Sequence, residues 1–251
     1  MTNNQYRIYG IRAVIEAIKS GKTIDKIFIQ KGLGGSLFSE LNTLIKKENI
    51  NCAFVPAEKL NRLSRENHQG IVASISPIAF CNFEDLVIRV TESGKTPLFL
   101  ILDQISDVRN FGAIIRTAEC TGVDGIIIPK SGSAPVTADT VKTSAGAVFN
   151  VPICKVGHLK DAVYYLQASG IRVVAATEKA TATLYNTDLA VPIAIILGAE
   201  DKGINPSLLK IADEKAGLPL CGSINSLNVS VACGAFLYEV LRQRMQHQTD
   251  R

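Results

Sequence analysis

The sequence predicts an α/β protein in two parts: a small α/β unit over residues 1–77, and a larger one from residue 97 built on a mostly parallel sheet covered on both faces. Three observations predict it. Apolar runs without polar alternation recur in the second half, such as PLFLILDQI from Pro97 and VPIAIILGAE from Val191, and strands buried on both faces read this way. Segments of helical period separate these runs, as crossover helices between parallel strands would. The 251 residues, 47% hydrophobic and 20% charged, can bury a real core and exceed one typical domain.

In chain order, Ile11, Val14, Ile15 and Ile18 recur at helical spacing. DKIFIQK follows as a strand. Residues 36–48 form a second amphipathic helix, with Leu37, Leu41, Leu44 and Ile45 on one side. NCAFVP is a short strand, AEKLNRLS a short helix and GIVASIS a strand, with Pro77 just after it. Residues 78–96 carry mixed charge and read as a linker holding a helical turn or two. PLFLILDQI is then a buried strand, and Asn110 to Thr121 a helix ended by Gly122. GIIIP is a strand, residues 139–145 a short helix, VPICKV a strand, residues 158–169 a helix stopping at Gly170, and IRVVAAT a strand. VPIAIILGAE is a strand running into a loop. Residues 206–215 are expected to be helical, GLPL extended, and the final helix to follow, opening on SLNVSVA.

Composition excludes several classes. No apolar run approaches the roughly 18 residues of a membrane span. MTNNQYRIYG lacks the apolar core of a secretory signal, so a cytoplasmic protein is expected. The six cysteines (Cys52, Cys81, Cys120, Cys154, Cys221 and Cys233) are scattered, with no CxxC and no histidine at zinc spacing. Buried free thiols and no bound metal are the expectation. Charge is unevenly spread. Residues 1–78 hold 11 Lys and Arg against 6 Asp and Glu, whereas residues 79–251 hold 16 against 17. A basic first part fits contact with a polyanion. GKT occurs at Gly21 and again at Gly94, but neither has the earlier glycine of a phosphate loop.

Three polar clusters follow strand ends, where ligands bind in parallel α/β sheets. NFGAIIRTAE starts at Asn110, whose bland role is to cap the helix, and carries Arg116 in an apolar stretch. IILGAEDKGI brackets Glu200 between Gly198 and Gly203, glycines that would let backbone approach a ligand. LPLCGSIN leads into Ser226, Leu227 and Asn228. In order, N-x-G-x-x-x-R, L-G-x-E-x-x-G and P-x-x-G-x-x-x-S-L-N-V-S-V-A resemble the three motifs of the SpoU class of RNA 2′-O-ribose methyltransferases. The resemblance runs from Pro97 to about Arg244. It implies the α/β-knot (SPOUT) fold, in which the C-terminal chain threads a loop as a deep trefoil knot. YGIRAVIEAI and HQGIVA resemble the ribosomal-protein-L30-like (L30e-like) domain of the branch that includes a 23S ribosomal RNA guanosine methyltransferase. This implies an RNA substrate-binding domain at 1–77, with Arg12 and His68 as RNA contacts, a linker at 78–96 and a methyltransferase domain at 97–251.

The same resemblance implies S-adenosyl-L-methionine as methyl donor, ribosomal RNA as partner, and a homodimer through the knot region. Val231, Phe236, Leu237 and Val240 of the final helix are candidates for the dimer contact. Asn110, Arg116, Glu200, Ser226 and Asn228 match the family's catalytic positions; Gly198, Leu218 and Leu227 match its cofactor-binding positions, with Thr177 nearby. Ser226 and Asn228 are expected both to cap the last helix and to line the pocket. Arg116 is the family's proposed catalytic residue. A guanidinium normally stays protonated, which suits a grip on the phosphate beside the target ribose better than a general base. Two alternatives stand beside this: a tRNA or antibiotic-resistance rRNA methyltransferase of the same fold, and an RNA-binding assembly factor without catalysis.

Overall fold

A computed structural model describes residues 7–249, with side chains to residue 246. The chain divides into two compact units, residues 1–79 with 135–138, and 80–134 with 139–251.

The first unit runs β1 (Arg7–Tyr9), α1 (Ile11–Lys19), β2 (Ile24–Gln30), α2 (Ser36–Lys47), β3 (Cys52–Val55), α3 (Ala57–Leu63) and β4 (Ile71–Ile75). Its sheet has the order β1-β4-β2-β3; β4 is antiparallel to both β1 and β2, and β3 is parallel to β2. Alternation along β2 places Ile27 and Ile29 in a core with Val14, Ile15, Leu41 and Ile45 of α1 and α2. The other face is covered by α3, through Leu60 and Leu63 over Tyr9, Phe28, Val55 and Val72. The strand Arg7–Tyr9 is too short to show a period, and only its pairing with β4 makes it a strand.

The second unit runs α4 (Phe83–Thr91), β5 (Leu98–Asp103), α5 (Val108–Cys120), β6 (Gly125–Pro129), α6 (Ala138–Thr143), β7 (Ile153–Val156), α7 (Leu159–Ala168), β8 (Arg172–Ala176), β9 (Ala182–Thr183), β10 (Ile193–Gly198), α8 (Pro206–Leu209), β11 (Glu214–Gly217) and α9 (Val229–Thr249). Its seven strands are all parallel, in the order β7-β6-β5-β10-β8-β11-β9. Phe99 and Ile101 of β5 and Ala194 and Ile196 of β10 pack with α4, α7 and α8. The alternating residues Leu100, Leu102 and Ile195 are also buried and face the opposite side, which α5 and α9 cover. All described strand residues of β5 are buried, as the unbroken apolar run requires.

Four expectations need correction. The segment 78–96 is not a free linker: nine of its residues form α4, with Leu86, Val87 and Val90 buried in the second unit's core. Their i, i+1, i+4 spacing gives the helix an apolar face, and Asn82 caps it by accepting from the Asp85 amide. Residues 206–215 form only the four-residue α8. Residues Glu214–Gly217 instead pair with β8, in the register Glu214↔Val174 to Ala216↔Ala176. Asp213 anchors that turn by accepting from the Val173 amide at 2.7 Å. Sheet pairing here overrides a weak local preference. The last helix starts at Val229, so Ser226 and Leu227 precede it. Of the cysteines, Cys154 and Cys233 are buried and burial pushes both thiols up to about 12, while Cys120 and Cys221 are exposed. No helix of the described residues is long and apolar enough to cross a membrane.

Candidate active site

In the second sheet the chain runs from β5 to β6 and β7 on one side, while β10, β8, β11 and β9 lie on the other. The loops after β5 and β10 therefore diverge at the sheet's centre. Such a switch point opens a crevice at the carboxyl ends of the strands. Asp103 and Gly198 face each other there in register. The buried Asp103 carboxylate accepts from the Asn205 amide at 2.7 Å, tying the end of β5 to the loop that follows β10.

Each motif contributes one arm to a polar cluster. Asp107, not Asn110, caps α5: its Oδ1 accepts from the amides of Arg109 and Asn110 at 2.9 and 2.8 Å. The Asn110 side chain is released from capping and donates through Nδ2 to Glu200 Oε1 at 3.2 Å. Asn228 Nδ2 donates to Asn110 Oδ1 at 3.0 Å and also to Glu200 Oε1. The Val229 amide donates to the same carboxylate oxygen at 3.3 Å. Asn228 Oδ1 meanwhile caps α9, accepting from the Ser230 amide at 3.0 Å and the Val231 amide at 3.4 Å. One carboxylate thus holds the starts of α5 and α9 to the loop after β10. A negative charge there is favoured by the partial positive charge at a helix N-terminus.

Beside Glu200 lies a cavity of about 270 Å³. Its lining comes from the ends of β8 and β10, the stretch after β11, and the start of α9. Thr177, Gly198, Leu218 and Leu227, the four expected cofactor contacts, all line it, as do Glu200 and Ser226. Asn110 and Asn228 stand behind this wall through Glu200. Arg116 does not join them. It is exposed and makes no hydrogen bond or ion pair among the described residues. Six positions along a helix set it about 120° around the axis from Asn110.

The sequence reading missed several wall residues. Val229, Ala232 and Phe236 line the cavity along one side of α9, at i, i+3 and i+7. That spacing was available as a signal but equally suits a core face, and Phe236 is also buried. Asn225, Leu220 and Glu178 line it as well. Of the four residues expected at a dimer contact, Phe236, Leu237 and Val240 are buried within the chain, while Val231 is 56% exposed. Gly198 proves necessary for a different reason from ligand approach. A side chain there would overlap the Gly203 carbonyl and the Ile204 amide, since the loop folds back through an Ala199–Gly203 bridge. Gly203 itself has φ +65°, and its amide donates to the Ala199 carbonyl at 2.8 Å.

In the first unit, His68 uses one ring nitrogen on its own loop and the other on α3. Nδ1 accepts from the Gly70 amide at 3.0 Å, and Nε2 lies 2.8 Å from Asn61 Oδ1. With Nδ1 accepting, Nε2 is the nitrogen left to donate. Arg12 is exposed on the first turn of α1.

Fold and site together define a doubly covered parallel α/β protein with a cavity at the carboxyl ends of β8 and β10 and a helix-capped carboxylate beside it. Comparisons with known proteins narrow the class. Residues 97–238 match the SpoU rRNA Methylase family, and residues 7–80 match the RNA 2'-O ribose methyltransferase substrate binding family. The chain belongs to the SpoU rRNA methylase family, and its fold is that of the family's solved structures. YacO of Bacillus subtilis (strain 168), whose name assigns it to the TrmH family of tRNA/rRNA methyltransferases, is 33% identical over 244 residues, 97% of this chain and 98% of its own. The SpoU methyltransferase AviRb from Streptomyces viridochromogenes, solved in complex with the cofactor AdoMet, superposes with a TM-score of 0.60 at 22% identity, over 96% of this chain and 90% of its own. The A. aeolicus TrmH/SpoU tRNA modifying enzyme superposes with a TM-score of 0.57 at 28% identity, over 66% of this chain and 86% of its own.

Proposed function

We propose that the protein transfers a methyl group from S-adenosylmethionine to a ribose 2′-hydroxyl of ribosomal RNA, a guanosine of 23S RNA being the target we favour. The observation that carries this reading is the convergence of Asn110, Glu200 and Asn228, one from each of the three motifs, against the cavity lined by Thr177, Gly198, Leu218 and Leu227. That cavity suits the donor. It combines apolar walls (Leu197, Leu218, Leu227 and Phe236) with a few polar groups and backbone, the build of a nucleoside pocket. When bound, S-adenosylmethionine supplies a methyl group on a positively charged sulfur.

The chain's own residues supply alignment. Methyl transfer is an in-line displacement, and much of its acceleration comes from holding the two reactants in geometry. Glu200 locks the loop after β10 to both helix starts, which fixes the cavity wall at Gly198 and Ser226. Ser226 precedes α9 and lines that cavity, and in this reading it holds the ribose. Arg116, exposed and without a partner among the described residues, is available to a phosphate of the RNA. Its planar fork suits bidentate phosphate contact.

Ribosomal RNA is favoured over tRNA by the first unit. The A. aeolicus tRNA modifying enzyme covers 86% of its own length while reaching only 66% of this chain, so about a third of this chain has no counterpart there. That remainder corresponds in size to the first unit, which matches the substrate-binding family and holds the basic surplus. A homodimer through the second unit is supported by an exposed stripe on α9: Val231, Tyr238 and Met245, every seventh residue. The reading also places the protein in the cytoplasm, where ribosomal RNA is modified.

The test uses purified protein, tritiated S-adenosylmethionine and, separately, total tRNA, 23S RNA and 16S RNA lacking prior modification. Label in 23S RNA, mapped to one ribose-methylated guanosine, is the expected result. Label in tRNA alone would keep the chemistry and overturn the substrate. No label in free RNA or in immature ribosomal particles would favour a binder without catalysis.

A further inference from the structure

We infer that the α3 face of the first unit's sheet, centred on Lys26, Phe28 and Lys59, is a phosphate-backbone contact surface for RNA. The inference rests on the reading above that this unit meets RNA, and it names contact residues other than Arg12 and His68. Two ammonium groups from different elements converge on one ring. Lys26 Nζ of β2 lies 5.4 Å from the Phe28 centroid, and Lys59 Nζ of α3 lies 5.9 Å from it. The two cations are therefore no farther apart than these distances combined. Neither meets a carboxylate among the described residues.

Like charges gathered at one ring repel, and no carboxylate among the described residues of the unit pairs with either. The negative face of an aromatic ring offsets part of the repulsion and gives both ammonium groups a fixed place. Pre-placed, unpaired cations suit a ligand with regularly spaced negative charge. A nucleic-acid strand carries one charge per about 3.4 Å of helix axis, so neighbouring phosphates of a single strand reach both positions.

The sheet register extends the surface. Arg7 and Lys26 both pair with Ser74, from opposite sides, so they share one row of the same face. Arg7 is fixed by donating from Nη1 to the Leu63 carbonyl at 2.7 Å. Arg62, three residues after Lys59 on α3, is exposed on the same side of that helix and also lacks a carboxylate partner among the described residues. Charge complementarity selects the occupant: a row of cations beside Tyr9 and Phe28 fits the backbone of RNA, the polyanion this unit is read as meeting.

The test measures binding of the full chain to 23S RNA transcribed in vitro, by filter binding between about 50 and 200 mM salt. The Lys26→Gln/Lys59→Gln double variant is compared with wild type and with Lys46→Gln/Lys47→Gln at the far end of α2, which changes net charge equally. Loss of two phosphate contacts should flatten the slope of log affinity against log salt by about 1.4 to 1.8 for the first variant, and leave it unchanged for the control. S-adenosylmethionine binding by the double variant, read by calorimetry, should equal wild type and shows that the chain is folded. An unchanged slope, or equal flattening in both variants, overturns this surface while leaving the methyltransferase reading intact. A wild-type chain that binds S-adenosylmethionine but no RNA overturns the surface and the RNA reading together.

Discussion

Asn228 offers the most direct test of how the site is assembled. Its side chain caps α9 through Oδ1 and ties that cap to α5 and the loop after β10 through Nδ2. In Asn228→Ala the lost cap costs about 1 kcal/mol. The two donated bonds, one to a carboxylate but both at an exposed position, add about 1 kcal/mol. The total, about 2 kcal/mol, corresponds to a fall in Tm of about 4–8 °C for a domain of this size. Differential scanning calorimetry reads it directly. A companion, Asn228→Asp, keeps the capping oxygen and sets a second carboxylate against Glu200. Its loss of stability should shrink as pH is lowered toward the carboxylate range, where the repulsion is relieved. An Asn228→Ala protein melting within about 1 °C of wild type would refute the claim that this residue joins three elements. A pH-independent Asn228→Asp would refute its contact with Glu200.

Gly198→Ala places a methyl against the Gly203 carbonyl and the Ile204 backbone; it should lower stability by about 1–3 kcal/mol in urea and weaken S-adenosylmethionine binding measured by calorimetry. Arg244 donates to the carbonyls of Thr96, Pro97 and Val191 at 2.8 to 3.0 Å, and burial holds its pKa below the usual arginine value. Arg244→Ala leaves those acceptors without their partner and should cost about 3 kcal/mol in urea denaturation, with Arg244→Lys recovering only part, since one ammonium cannot span all three. The hydrogen bonds from Arg242 hold the Glu239 carboxyl below its ordinary value near 4.5. Its contribution to stability is therefore fully present above that ordinary value and is lost as pH falls through the lowered one. Stability curves from pH 7 to pH 3 should show a shallower acid loss in Glu239→Gln than in wild type.

The resemblance carried by the three motifs made much of the site legible before the structure. Thr177, Gly198, Leu218 and Leu227, named from that resemblance, line one cavity, and Asn110, Glu200 and Asn228 meet beside it. Arg116 was equally plain as a motif residue, yet the helix turns it away from the cluster. Asp107 was passed over as the cap of α5 because Asn110, three residues later, is an equally good capping residue type.

What the sequence determined by itself was periodic or local: most of the elements lie in short apolar runs or helical repeats, and their ends follow glycines and capping side chains. The tertiary structure decided whatever depends on a partner far along the chain. Residues 83–91 are a core helix rather than part of a linker because Leu86, Val87 and Val90 find an apolar surface on the sheet. Residues 214–217 are a strand rather than a helix because β8 offers an unpaired edge. Glu200 is a staple because α5 and α9, which begin 121 positions apart at Val108 and Val229, start beside the same carboxylate. A hydrogen bond between such distant positions leaves no period in the sequence, so only the folded chain shows it.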